Sequence, residues 1–230
     1  MSQAGVVETK SHIAMIDYGM GNLRNVQKAF EHIGIDARIS SLPAELERAD
    51  GWVLPGVGAF GDAMENLHAG GLVEPIHQGV ARGKPLLGIC LGLQLLYQES
   101  SEMGLHRGLG VLAGRVTRFE DGMQQAGQTL KVPHVGWNQF HLTERGRKSP
   151  LLEGVPDGSY AYFVHSYYVV PADPEDALAM TDYGIDFASV VGCDNVFGAQ
   201  PHPEKSQEVG LRLLRNFAQI VAQKRQGGGP

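Results

Sequence analysis

Cys90 stands in Gly88-Ile89-Cys90-Leu91-Gly92, behind the apolar run Pro85-Leu86-Leu87 and ahead of a helix-forming stretch. An apolar strand, a Gly-x-Cys-x-Gly turn and a helix start make an elbow that presents a nucleophile at the top of a sheet, here with cysteine in place of serine. Such a turn strains the backbone of its nucleophile and crowds neighbouring chain segments together, and glycines two residues to either side relieve that crowding. A thiol at a helix N-terminus feels the positive end of the peptide dipoles, which favours the thiolate. The backbone N–H of Leu91 would point at the same spot and can donate one hydrogen bond to an oxyanion. The motif alone fits equally a small buried residue between two packing glycines, the common role of a free cysteine in a core. It needs a base.

The segment Gln200-Pro201-His202-Pro203-Glu204 supplies one, between a predicted strand and the last predicted helix. Residues two apart in extended chain project to the same side, so Glu204 can hold the imidazole of His202. Cysteine, histidine and carboxylate then follow the nucleophile, base and orienting-acid logic of hydrolytic triads. The loop Pro55-Gly56-Val57-Gly58 follows another predicted strand and can offer a second oxyanion N–H across the carboxyl ends of the strands. Taken singly, Glu204 is also a common first-turn carboxylate and Pro-Gly-x-Gly a common turn. The other eight histidines read as surface or hydrogen-bonded residues, with His134 and His165 as partial exceptions.

Elements must bring these residues together. Periodicity predicts a strand over 12–17, a helix from 22, a strand over 35–39, a short helix over 44–49 and a strand over 51–54. Helices over 60–69 and 72–82 follow, then a strand over 85–89 that runs through Cys90 into a helix over 91–99. Strands alternating with helices imply a mostly parallel central sheet covered on both faces. After Gly104 the texture changes to strands over 110–119, 160–170, 177–182, 187–193 and 196–200, so the second half of the sheet is expected to be mixed or antiparallel. A final amphipathic helix is expected over 205–224. The fold class is therefore α/β, as one domain over 1–230 with flexible ends at about 1–10 and 225–230.

The composition excludes several function classes. A net charge of −6 with scattered Lys and Arg gives no footprint for a phosphate backbone, so no nucleic-acid partner is expected. The start MSQAGVVETK lacks an apolar core behind basic residues, and no run approaches the roughly 20 apolar residues that cross a bilayer. Neither secretion nor a membrane is expected. The two cysteines, Cys90 and Cys193, are too few for a disulfide framework and wrongly spaced for a paired-ligand zinc site. That suits a reducing, cytoplasmic compartment, with no metal and no cofactor.

With the elbow, the His-Pro-Glu segment and the Pro-Gly-Val-Gly loop in this order, the chain resembles the class I, or triad, glutamine amidotransferases along nearly its whole length. Pro133-His134-Val135-Gly136-Trp137-Asn138, Phe163-Val164-His165-Ser166-Tyr167 and His202-Pro203-Glu204-Lys205-Ser206 are similar, within that class, to the glutaminase subunits of imidazole glycerol phosphate synthases of histidine biosynthesis. The resemblance implies Cys90, His202 and Glu204 as the triad, with L-glutamine held by Gln94, Glu102, Ser166 and Tyr167. It implies Gly58 on the oxyanion side of the pocket, beside Val57 and Leu91. It also implies a heterodimer with a (β/α)8-barrel cyclase subunit that consumes the ammonia, docked near Trp137, Tyr162 and Lys205 and served by His134 and Asn138. Segment 134–138 argues against the glutaminases of anthranilate, carbamoyl phosphate or GMP synthases, and the intact triad argues against a non-catalytic scaffold. One position departs from the family: Pro201 replaces an aromatic residue before His-Pro-Glu, which removes an N–H and leaves the pairing of the approaching strand open.

Overall fold

The structure, a computed structural model, describes residues 12–227. Of the flexible ends expected at about 1–10 and 225–230, residues 1–10 and 228–230 lie outside the described residues, and 225–227 belong to the last helix. The chain alternates β1 (His12–Ile16), α1 (Leu23–His32), β2 (Asp36–Ser40), α2 (Pro43–Arg48) and β3 (Gly51–Gly56). Helices α3 (Phe60–Ala69) and α4 (Val73–Ala81) lead to β4 (Leu86–Cys90) and α5 (Leu91–Leu95). Then come β5 (Glu99–Ser100), β6 (His106–Arg107), β7 (Gly114–Arg118), the small hairpin β8 (Gln124–Gln125) and β9 (Gln128–Thr129), β10 (His134–Leu142) and α6 (Glu144–Lys148). The chain closes with β11 (Ser159–His165), β12 (Tyr167–Pro171), β13 (Ala177–Asp182), β14 (Asp186–Cys193), β15 (Val196–Ala199) and α7 (Gln207–Gly227).

The main sheet runs β2-β1-β3-β4-β15-β14-β12-β7-β5-β6, with β13 joining β14 to β10, and β10 paired to β11. From β2 to β15 every pairing is parallel. From β15 through β14, β12 and β7 it is antiparallel, as the change of texture after Gly104 predicts. Side-chain alternation divides two cores between the faces of the parallel half. Met15, Val53 and Leu87 pack on one face with Phe30 of α1 and Leu213, Leu214 and Phe217 of α7. Ile16, Trp52, Leu54 and Leu86 pack on the other with Phe60 and Leu67 of α3 and Ile76 of α4.

Four elements differ from the sequence expectation. The helix after Cys90 ends at Leu95 rather than Glu99, because the carbonyls of Leu95, Leu96 and Tyr97 accept from Leu109, Leu112 and Gly110, tertiary partners that replace the next helical turn. The strand expected over 160–170 is two, β11 and β12, broken at Ser166. Its carbonyl accepts from Phe119 while β11 pairs β10 and β12 pairs β7 and β14. Strand β10 carries no alternating signal of its own: its burial is irregular, as it pairs with β11 over most of its length and with β13 at its end. Helix α7 begins two residues later than expected, after a short 3-10 turn at Pro203–Lys205, and runs through Gly227.

Candidate active site

The parallel half ends its strands side by side: Gly56 of β3 pairs with Cys90 of β4, and Ala199 of β15 pairs with Ile89. The three segments beyond these ends carry the expected chemistry. Cys90 holds φ 54°, ψ −112°, a sparsely populated conformation for a side-chain-bearing residue. The glycines beside it are required by space. A Cβ on Gly88 would lie 2.7 Å from the Gly92 carbonyl oxygen and the Leu93 nitrogen, and one on Gly92 would overlap the Leu54 carbonyl. Leu91 opens α5, so its N–H lacks an intrahelical partner and remains available to an oxyanion. With only five residues, α5 has few aligned peptide dipoles, so the stronger electrostatic partner for Sγ is the imidazole of His202.

His202 Nδ1 lies 2.9 Å from Glu204 Oε1, and both side chains are almost fully buried. With Nδ1 held as the donor, Nε2 is left buried without a hydrogen bond of good geometry, close enough to Cys90 to interact with it. Burial pulls the His202 pKa down, but the side chains of Cys90 and Glu204, through hydrogen bonding and charge, together raise it to about 10. The imidazolium form of His202 is therefore favoured beside Cys90 and Glu204. Pro201 costs the strand nothing, because β15 ends at Ala199 and the flanking N–H groups are used: Gln200 donates to Ser189 at 2.8 Å and His202 to Tyr162 at 2.9 Å.

A cavity of about 340 Å³ opens at Cys90, bounded by Val57, Gly58, Leu91, Gln94 and Glu102 on one side and Ser166, Tyr167, His202 and Lys205 on the other. All the residues expected to hold glutamine line it. Gly58 takes φ 107°, a conformation that favours glycine. Glu102 is fixed by accepting from the Phe60 N–H at 2.7 Å, which ties its loop to the start of α3. The loop before Gly58 is braced from beneath by the Tyr18 hydroxyl, which donates to the Pro55 carbonyl at 2.9 Å. Tyr18 carries a pKa raised by burial and by the nearby Cys90.

The expected docking residues also meet. Trp137 and Tyr162 face each other across the β10–β11 ladder with ring centroids 6.1 Å apart, and Lys205 Nζ lies 5.5 Å from the Tyr162 ring. Trp137 is 47% exposed. His134 is corrected: it is 3% exposed and faces inward, so it does not belong to an outer surface. Its ring joins a chain whose tautomers are fixed from the end, since the Tyr167 carbonyl can only accept. His165 Nδ1 donates to Tyr167 at 2.8 Å, His134 Nδ1 donates to His165 Nε2 at 3.1 Å, and Asn138 Nδ2 approaches His134 Nε2 at 3.4 Å.

A nucleophile elbow, a base with its carboxylate and an oxyanion loop on one rim leave several hydrolase families open. The family profile described as "Glutamine amidotransferase class-I" matches residues 14–221, nearly the whole described chain. The chain belongs to the class I glutamine amidotransferases. This amidotransferase is 55% identical over 208 residues to a protein of Syntrophotalea carbinolica, covering 90% of this chain and 100% of that one. It is 52% identical over 215 residues to one of Geobacillus thermodenitrificans, covering 94% and 99%. Both are named "Imidazole glycerol phosphate synthase subunit HisH". Among solved structures, a "glutamine amidotransferase" superposes with TM-score 0.71 at 20% identity over 91% of this chain and 98% of that one. The "PurLQS" structure from Thermotoga maritima superposes with TM-score 0.71 at 19% identity over 92% and 99%. These two likenesses establish the fold.

Sequence reasoning missed Gln200, which is fully buried with its Nε2 3.7 Å from Cys90 Sγ. A signal was present: it is the first polar residue after Val196–Ala199, a strand in which every residue is buried.

Proposed function

We propose that this amidotransferase is the glutaminase subunit of an imidazole glycerol phosphate synthase, hydrolysing glutamine with Cys90 as nucleophile, His202 as acid and base, and Glu204 as the orienting acid. The observation that carries the chemistry is the buried Glu204–His202 pair at 2.9 Å, aimed at a cysteine held at positive φ on a glycine-flanked elbow. The Cys90 thiolate attacks the side-chain carboxamide, and backbone N–H groups of Leu91 and Val57 hold the oxyanion. The His202 imidazolium gives its proton to the departing ammonia, leaving a glutamyl thioester. Water activated by neutral His202 then hydrolyses the thioester to glutamate. Gln94, Glu102, Ser166 and Tyr167 hold the substrate, and Gly58 lets the oxyanion loop approach it.

Ammonia near neutral pH is mostly protonated and not nucleophilic in water, so the synthase gains by passing it through an enclosed route. The partner is a cyclase subunit of (β/α)8-barrel form, docked over Trp137, Tyr162 and Lys205 in the cytoplasm. No helix among the described residues is long and apolar enough to cross a membrane. The Gly56-Val57-Gly58 loop is the switch: rotation of one peptide brings an N–H into the oxyanion hole when the partner holds its acceptor. The test is ammonia release from glutamine with and without the cyclase. Turnover that is low alone, strongly stimulated by partner with acceptor, and abolished in Cys90→Ala is the expected result. High turnover independent of the partner would overturn the coupling, and normal turnover in Cys90→Ala would overturn the nucleophile.

A further inference from the structure

We propose that Gln200 is a positioning residue for the nucleophile, donating a hydrogen bond from its side-chain amide to the Cys90 thiolate in an orientation locked by Gln94 and the Tyr167 carbonyl. The proposal rests on Cys90 being the nucleophile.

The orientation follows from hydrogen-bond logic. A backbone carbonyl only accepts, so the Gln94 atom 3.0 Å from the Tyr167 oxygen must be its NH2 group. The second hydrogen of that NH2 points at Gln200, 3.2 Å away, so Gln200 must present its oxygen there. Its own NH2 is then turned to Cys90 Sγ at 3.7 Å, within range for a bond to sulfur. Tyr167 is itself pinned, since its carbonyl also accepts from His165 Nδ1 at 2.8 Å. A flip of the Gln200 amide would set two NH2 groups against each other in a fully buried site, which leaves donors unsatisfied.

The thiolate has a use for this donor. Besides His202, Sγ meets the Val164 carbonyl at 3.9 Å, an acceptor that suits the thiol and opposes the anion. Gln200 and His202 flank Pro201 in the bend just beyond β15, with Pro201 fixing the backbone between them, so one strand end delivers both an amide and an imidazole to Sγ. A hydrogen bond to the charged form favours ionisation, and losing one moves a titration by about one unit. The titratable groups around Sγ are His202 with Glu204 behind it, Tyr18, and the cavity-lining His165, Glu102 and Lys205. None of them is altered in the variants below.

The experiment is the pH profile of Cys90 alkylation by iodoacetamide in the full chain, read site by site by mass spectrometry, for wild type, Gln200→Leu and Gln200→Glu. Cys193 serves as the internal reference thiol. The Cys90 midpoint is expected to rise by about one pH unit in Gln200→Leu, slowing alkylation about tenfold at pH values below both midpoints, and to rise further in Gln200→Glu, where a carboxylate faces the thiolate. Gln200→Glu keeps the acceptor for Gln94. In the assembled synthase it is therefore expected to lose glutaminase kcat by tenfold or more with KM for glutamine within about twofold of wild type. If Gln200→Leu does not fold, the isosteric Gln200→Glu decides. A Cys90 midpoint unmoved in a folded variant would overturn the proposal, even if activity were lost. Retained turnover in Cys90→Ala would instead overturn the underlying reading of the nucleophile.

Discussion

The Nδ1 of His202 rests on Glu204 at 2.9 Å with both groups buried, so the carboxylate fixes which imidazole nitrogen is free for proton transfer. Glu204→Gln keeps the shape but also tolerates the opposite tautomer. Glutaminase kcat in the assembled synthase is expected to fall by about two to four orders of magnitude with little change in KM, measured by steady-state kinetics. Two other buried histidines affect stability. Desolvation lowers the pKa of His134 to about 4, and that of His165, with a smaller opposing bond to Tyr167, to about 3. Both folded values lie below the ordinary 6.5, so the unfolded chain takes up protons first as the pH falls. Their contribution is whole above pH 6.5 and is lost as the pH drops toward 4 and then 3. Denaturant unfolding at pH 7 and pH 5 is expected to differ by roughly 2 kcal/mol for each histidine, with the slope reduced when both are replaced by glutamine. His202 has the opposite sign, favouring the folded state below pH 6.5 and losing that contribution as pH rises through about 10.

The β4–α5 elbow stores strain at Cys90 and is held in place by close backbone contacts on both sides. A methyl group on Gly92 would overlap the Leu54 carbonyl, which belongs to the neighbouring strand and cannot swing aside. Gly92→Ala is expected to destabilise the chain by about 3 kcal/mol, seen as a drop in thermal midpoint, and to abolish glutaminase activity at temperatures where the protein remains folded. The elbow and its glycines were legible because the strain is local: a few consecutive residues dictate the turn. The break between β11 and β12 was not. Residues 160–170 read as one apolar strand, and only the competing pairings to β10 and to β7 and β14 set the change of partner at Ser166.

Across the whole molecule, the rim that holds Cys90 is continuous with the pair of exposed Trp137 and half-buried Tyr162, since β10 and β11 carry both His134–His165 and Trp137–Tyr162 in one ladder register. A partner seated on the aromatic pair therefore presses on strands that lead to Tyr167, whose carbonyl holds Gln94 at the cavity. Trp137→Ala is expected to weaken cyclase binding about tenfold or more in a calorimetric titration. Partner-stimulated glutaminase should fall while alkylation of Cys90 in the isolated chain stays at the wild-type rate.

The sequence by itself determined the alternation of parallel strands and helices, the elbow at Cys90, the pairing of His202 with Glu204 and the family, because each is written in short-range spacing and local conformational need. Only the tertiary structure decided the inward turn of His134, the short α5, the harmlessness of Pro201 and the buried amide of Gln200 at the thiolate. Those outcomes depend on which distant carbonyl or side chain fills each hydrogen bond, as when Tyr167, Gln94 and Gln200 settle one another's orientation across separations of 73 and 106 residues. No window of sequence contains that choice, since the partners meet only after the sheet has brought its strand ends together.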